Sequence, residues 1–344
     1  MTSPDTSGAD RLVDALTNLI PRLLHALDAL GFVARYLYPP RLPDLLSDVG
    51  DLDRPLAEAL ADFNTIALPD HLTGFRTQIG TACEEIGRSY EGLRASLDDP
   101  AGLIAAYRAL RHVSRAHEAL YPVSYMLPPV SRFYLTETAR QDAALLDKIE
   151  KAEPEPGRVG VLHARNEKKD RGGFSLYVPE YYAADTSWPL IVALHGGSGH
   201  GRDFLWSWLR EARSAGALIL SPTARGDTWS LMEPGIDTSN LLAMVDWIKE
   251  RWSIDPSRIL LTGMSDGGTF TYVCGLQAGM PFTHLAPVSA SFHSFLTEMA
   301  SPQRVRNLPV YLVHGSLDWM FPIDMAREAR ASLTDLEPRA RRIL

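Results

Sequence analysis

The most constraining feature of this 344-residue chain is the run RILLTGMSDGG, which ends in Gly263-Met264-Ser265-Asp266-Gly267 and a further Gly268. An apolar, strand-like stretch enters this G-x-S-x-G pattern, and a helix-like stretch, TFTYVCGLQ, leaves it at once. A strand that becomes a helix over so few residues leaves no room for side chains beside the serine, so glycines flank it. The turn holds Ser265 in strained backbone geometry at the end of a sheet. The free N–H groups of the following helix then face a charge developing beside it.

The surrounding pattern supplies the sheet. WPLIVALHG, ALILSPTA, HLAPVSA and LPVYLVHG are apolar runs of strand length. They alternate with helical stretches near FLWSWLREARSAG and TSNLLAMVDWIKERW, which indicates βαβ units and a mostly parallel sheet flanked by helices. VGVLHAR and GGFSLYVPEYY, joined by a polar run, read as an antiparallel hairpin ahead of it.

Upstream the periodicity is helical. Leu12, Leu16, Leu19, Leu23, Leu27 and Leu30 share one face, and Leu72, Phe75, Ile79, Cys83, Ile86, Tyr90, Leu93 and Leu97 share another, with Glu84, Glu85 and Arg88 opposite. A third stripe runs through Ile104, Tyr107, Leu110 and Val113. EKAEPEPGRVG, charged and broken by Pro154, Pro156 and Gly157, reads as a linker. The expected organisation is an all-helical bundle over 1–150, a surface for capping or for a homo-oligomer, and an α/β domain over 151–344.

Composition removes several classes of function. The net charge is -8, nearly all of it before residue 151, and no long Lys/Arg run occurs, so nucleic acid and anionic membranes are poor partners. LTNLIPRLLHALDALGF is interrupted by Arg22, His25 and Asp28, too often for a membrane span. The N-terminus shows no apolar signal region, which makes the cytoplasm the expected location. Cys83 and Cys274 read as buried free thiols. No His/Cys/carboxylate cluster has ligand spacing, so neither metal nor organic cofactor is expected.

Two further motifs lie at strand ends. Leu194-His195-Gly196-Gly197-Ser198-Gly199 closes PLIVA, and a Gly-rich loop there offers a second backbone donor to an oxyanion. The two donors are assigned to Gly197 and Asp266, and His195 is expected to order the loop. The loop lacks the spacing of a dinucleotide or Walker motif. His314-Gly315-Ser316-Leu317-Asp318 closes PVYLV, and Asp318 is the carboxylate placed to orient an imidazole. Asp324 more naturally begins a helix. Ser198, Trp229 and Trp319 are expected to contact substrate, the two indoles as walls of an apolar acyl pocket.

The order LHGGSG, GMSDGG, HGSLDWMFP resembles the α/β-hydrolase superfamily, and within it the phospholipase/carboxylesterase and dienelactone-hydrolase-like serine esterases. The resemblance covers roughly residues 158–335. It implies a small-molecule ester substrate, Ser265 as nucleophile, Asp318 as triad acid and backbone donors at Gly197 and Asp266. Prolyl-peptidase relatives, which cleave amides, share the catalytic domain but carry a β-propeller where this chain carries helices.

One part of the pattern is unmet. The triad histidine of that superfamily follows the acid, after one more helix and strand, whereas no histidine follows His314 and the tail TDLEPRARRIL has no strand-like run. Three expectations compete: a chain lacking its last strand and histidine segment, a displaced base such as His200, His293 or a partner's residue, or a domain that binds without turnover.

Overall fold

The computed structural model describes residues 4–335, which fall into two compact units, Met1–Tyr134 and Leu135–Leu344. The tail from Leu336 onward, expected to be strand-free, lies outside the described residues.

The first unit is helical: α1 (Pro4–Tyr36), α2 (Leu42–Val49), α3 (Asp53–Asn64), α4 (Thr73–Ala95), α5 (Gly102–Leu120) and α6 (Pro128–Phe133). Leu19, Leu23, Leu27 and Leu30 of α1 are fully buried, as are Ile79, Ile86 and Leu93 of α4, so the first two stripes form core. Leu97 lies beyond the end of α4 and is exposed.

The third stripe is corrected. Ile104 and Tyr107 are exposed, and the face of α5 that is buried carries Ala106, Ala109, Ala116 and Leu120. Close packing explains the choice: a Cβ added to Gly92 of α4 would lie 2.7 Å from that of Ala109, so only small side chains fit between the helices. Glu85 also departs from the solvent side. It is buried, accepting hydrogen bonds from Arg88 at 2.6 Å and from His112 at 2.5 Å.

The second unit begins at Leu135, ahead of the expected linker, because Leu135, Ala139 and Leu145 cluster with Tyr181 of the sheet domain. Helix α7 (Ala143–Glu150) is started there by Asp142, whose Oδ1 accepts from the N–H groups of Ala144 and Leu145. Such a cap contributes about 1 kcal/mol. The strands are β1 (Gly160–Ala164), β2 (Phe174–Val178), β3 (Trp188–Leu194), β4 (Leu218–Pro222), β5 (Ile254–Met264) and β6 (His284–Val288), in spatial order β1-β2-β4-β3-β5-β6. β1 and β2 form the expected hairpin, β2 runs antiparallel to β4, and every other pairing is parallel.

Beyond β6, residues 308–313 lie alongside as an irregular edge with two isolated parallel bridges, Leu285 to Val310 and Val288 to Val313. Helices α8 (Gly201–Phe204), α9 (Trp206–Ala215), α10 (Gly235–Lys249), α11 (Asp266–Gly275), α12 (Phe295–Met299), α13 (Pro302–Val305) and α14 (Ile323–Asp335) complete the unit. Leu190, Val192, Leu218, Leu220, Ile259 and Leu261 sit in its core, as alternation with helices demands. This is an α/β-hydrolase-type sheet preceded by a helical region. Among the described residues no helix is long and apolar enough to cross a membrane. Cys83 and Cys274 are buried and free, and burial pushes their thiols up to about 12 and about 11.

One buried ion pair bears on stability. Arg213 of α9, with only 2 % of its side chain exposed, donates from Nε to both carboxylate oxygens of Glu180, which also accepts from Tyr177. Removing one partner strands the other charge. Arg213→Met is expected to cost about 3–5 kcal/mol, and Arg213→Met with Glu180→Leu to regain most of it. All 7 tryptophans lie at or beyond Trp188, so urea unfolding followed by their fluorescence reads the second unit directly.

Candidate active site

Among the described residues four non-glycine residues have φ in the left-handed region, and three are serines that follow neighbouring parallel strands: Ser198 at +54°, Ser265 at +56° and Ser289 at +43°. Backbone strain of this kind collects at functional sites, and here it collects at the carboxyl ends of β3, β5 and β6. Register brings them together, since Leu194 pairs with Gly263 and Met264 with Val288.

Ser265 occupies the turn between β5 and α11, half-buried, with ψ of -121°. Its N–H donates to Val288 O at 3.0 Å, and its carbonyl accepts from Thr269 at 2.9 Å. The glycines are sterically required. A Cβ at Gly263 would collide with the backbone of Gly267, and one at Gly267 with the backbone of Leu194 and His195. The strand-turn-helix expected from the sequence is thus present, closed around the serine.

The Gly-rich loop lies against this turn. A Cβ on Gly196 would be 3.5 Å from the Cβ of Ser265, and one on Gly197 would be 2.7 Å from Oδ2 of Asp266. Among the described residues no acceptor takes the N–H of Gly197 or of Asp266. The N–H of Ser198 is already used, donating to Asp227 O at 3.0 Å.

His195 holds the loop from beneath. It is buried; Nδ1 donates to Gly196 O at 2.6 Å and Nε2 accepts from Ala224 at 3.1 Å. Both ring nitrogens are committed, which fixes the neutral tautomer. Burial lowers its pKa from 6.5 to about 4, against the opposing pull of the Gly196 carbonyl. Arg171, from the β1–β2 hairpin, donates to Gly199 O at 2.8 Å and adds a tie from the far side.

Asp318 follows Val313, whose carbonyl accepts from Ser289 at 2.8 Å; this hydrogen bond sets the loop at the same sheet edge as Ser265. Oδ1 of Asp318 accepts from the N–H groups of Met320 and Phe321, at 3.0 and 2.9 Å, fixing the carboxylate. Oδ2 lies 3.6 Å from Nε2 of His314, but that nitrogen donates to Phe321 O at 2.7 Å. His314 therefore props the loop.

The two histidines considered as displaced bases each accept a backbone N–H at a helix start, and His200 is the cap of α8. Nδ1 of His200 accepts from Arg202 at the start of α8 and its Nε2 donates to Asp170 O, while Nδ1 of His293 accepts from Phe295 at the start of α12. Among the described residues no histidine is hydrogen-bonded to Ser265.

Of the expected pocket walls, Trp319 is 45 % exposed but Trp229 is not a wall. It is 3 % exposed, stacks on Phe270 and donates from Nε1 to His195 O at 2.8 Å, so it packs beneath the loop. Sequence reasoning missed Met264, 43 % exposed, whose Cε lies 4.0 Å from a Cβ on Gly196. It also missed Thr228, which donates to Oδ2 of Asp266 at 2.6 Å.

Sheet order, strained serine and facing Gly-rich loop define an α/β-hydrolase-type domain, and the chain resembles the serine esterases of that superfamily. No protein-family model matches it. It is 27 % identical over 136 residues to acetylxylan esterase A of Emericella nidulans, across 36 % of this chain and 44 % of that protein. It is 28 % identical over 160 residues to a bifunctional acetylxylan esterase/xylanase of Neocallimastix patriciarum, across 44 % of this chain and 22 % of the relative. The chain thus spans less than half the length of either. Among solved structures, the acetyl xylan esterase of Aspergillus awamori aligns with a TM-score of 0.41 and 16 % identity, covering 51 % of this chain and 80 % of that one.

The state of His195 gives this site a pH signature. The fold holds the ring neutral, whereas the unfolded chain protonates near 6.5, so the stabilisation is complete above that pH and lost as pH falls toward about 4. The loss amounts to about 3 kcal/mol. Urea midpoints between neutral pH and pH 4 are expected to fall less steeply for His195→Gln than for the parent; equal slopes would assign the pH dependence elsewhere.

Proposed function

We propose that the second unit hydrolyses carboxylic esters through an acyl-serine intermediate. The observation carrying this reading is Ser265, strained at φ +56° between β5 and α11, beside the untaken N–H groups of Gly197 and Asp266. In it, Oγ of Ser265 attacks the ester carbonyl carbon and the two N–H groups receive the negative charge on the carbonyl oxygen. As the ester C–O bond breaks, the Oγ proton passes to the leaving alkoxide, which departs as the alcohol; water then attacks the acyl carbon, returns a proton to Oγ and releases the acid. Asp318, held by two backbone donors, is the carboxylate suited to orient an imidazole and stabilise its charged form. Acetylxylan esterases among the relatives point to a short acyl group such as acetate, and Met264 and Trp319 are the exposed apolar groups to meet it.

No described histidine is assigned the base. A serine backed only by an oxyanion pocket retains a fraction of full catalysis, so slow acylation is expected. Binding without turnover is the second reading, favoured by that absence of an imidazole partner among the described residues and opposed by the strain held at Ser265.

Intact-mass analysis after a fluorophosphonate probe separates them. A single adduct is expected, lost in Ser265→Ala, with nitrophenyl acetate turnover falling at least about 100-fold in that variant. Added imidazole is expected to speed acylation of the parent and not of Ser265→Ala. No adduct on folded protein would overturn ester hydrolysis and leave the binding reading.

A further inference from the structure

The loop between β4 and α10 contacts both the Gly-rich loop and the residue after Ser265. Its ends are pinned by one residue: Asp237, 1 % exposed in the first turn of α10, accepts from Arg225 N at 3.0 Å through Oδ1 and from Ser230 N at 2.8 Å through Oδ2. Between those pins, three consecutive residues each grip a different piece. Asp227 O accepts from Ser198 N in the Gly-rich loop at 3.0 Å. Thr228 Oγ1 donates to Asp266 Oδ2, on the residue after the nucleophile, at 2.6 Å. Trp229 Nε1 donates to His195 O, just past β3, at 2.8 Å.

From these contacts we propose that Thr228 is a positioning residue, bracing Asp266 against the Gly-rich loop so that the Gly197 and Asp266 N–H groups keep a fixed separation. This rests on the acyl-serine reading. The Asp266 carboxylate fills the space where a side chain on Gly197 would lie, 2.7 Å from that Cβ position, so its orientation is felt directly by the opposite donor. Its Oδ2 has Thr228 as its donor; without that hydroxyl the half-buried carboxylate is free to turn, carrying the first residue of α11 with it. Oxyanion stabilisation tolerates errors of only about half an ångström. Substrate binding has no such requirement, so the defect belongs in the rate and not in affinity.

Thr228→Val keeps the shape and removes the hydroxyl, and Thr228→Ser restores it. Thr228→Val is expected to lower kcat for nitrophenyl acetate, and the rate of fluorophosphonate addition to Ser265, by about 10- to 100-fold with KM within about threefold. Thr228→Ser is expected to recover most of both rates. Asp266→Ala breaks the same bond from the other side, and its loss is expected not to add to that of Thr228→Val in the double variant; it also serves alone if Thr228→Val does not fold. Parent-like rates in Thr228→Val or Asp266→Ala, equal losses in Thr228→Val and Thr228→Ser, or a change confined to KM would overturn the brace while leaving ester hydrolysis intact. No adduct on the parent would instead remove the reading on which it stands.

Discussion

Parallel pairing of β3 with β5 is the constraint on which the site depends. With Leu194 opposite Gly263, the two strands end level, and whatever follows each is forced against the other. The chain resolves that crowding with glycine on one side and a reversed serine on the other. Gly267 presses on the backbone at the end of β3 and Gly263 on that of Gly267, where no side chain fits, while a Cβ on Gly196 would meet the Ser265 side chain at ordinary contact distance. Untaken N–H groups remain because two chain segments turn away from the sheet at the same height, each before its own hydrogen bonding begins. The electrostatic character of the pocket is therefore a by-product of register, set before any catalytic side chain is considered.

Much of this was legible in the sequence, and for a reason. Parallel strands buried on both faces are written as uninterrupted apolar runs, so PLIVA and RILLTG could be placed without ambiguity, and glycines at a strand-to-helix junction mark a close approach of two backbones. The errors came where local pattern underdetermines direction. An aromatic in a glycine-flanked loop looks the same whether it lines a cleft or a core, and Trp229 went inward because its indole N–H finds a partner at His195 O. In α5 alanines and larger apolar residues alternate, so two faces satisfied the helical period, and only the close approach at Gly92 selects the alanine face. The Thr228–Asp266 contact spans 38 positions and has no local signature at either end.

Polar residues beneath the site show a division of labour among histidines. His195, His200, His293 and His314 each spend ring nitrogens on backbone groups, capping helices or closing loops. In His195 and His200 both nitrogens are occupied, and such a ring cannot shuttle a proton without first breaking a contact that shapes the loop around it. For His195 burial adds a second obstacle, lowering the pKa to about 4. Those two rings are thus architectural, and counting histidines near a serine says little about its activation.

The irregular edge after β6 has a consequence in time. Residues 308–313 are hydrogen-bonded to β6 on one side, and among the described residues the N–H groups of Val310 and Leu312 meet no acceptor on the other. Ser265, by contrast, follows a strand paired on both flanks. An edge held from one side opens at lower free energy than a central strand. Ser265 and Asp318 thus hang from parts of the sheet with different support: on warming, the loop carrying Asp318 is expected to loosen while the turn around Ser265 still holds.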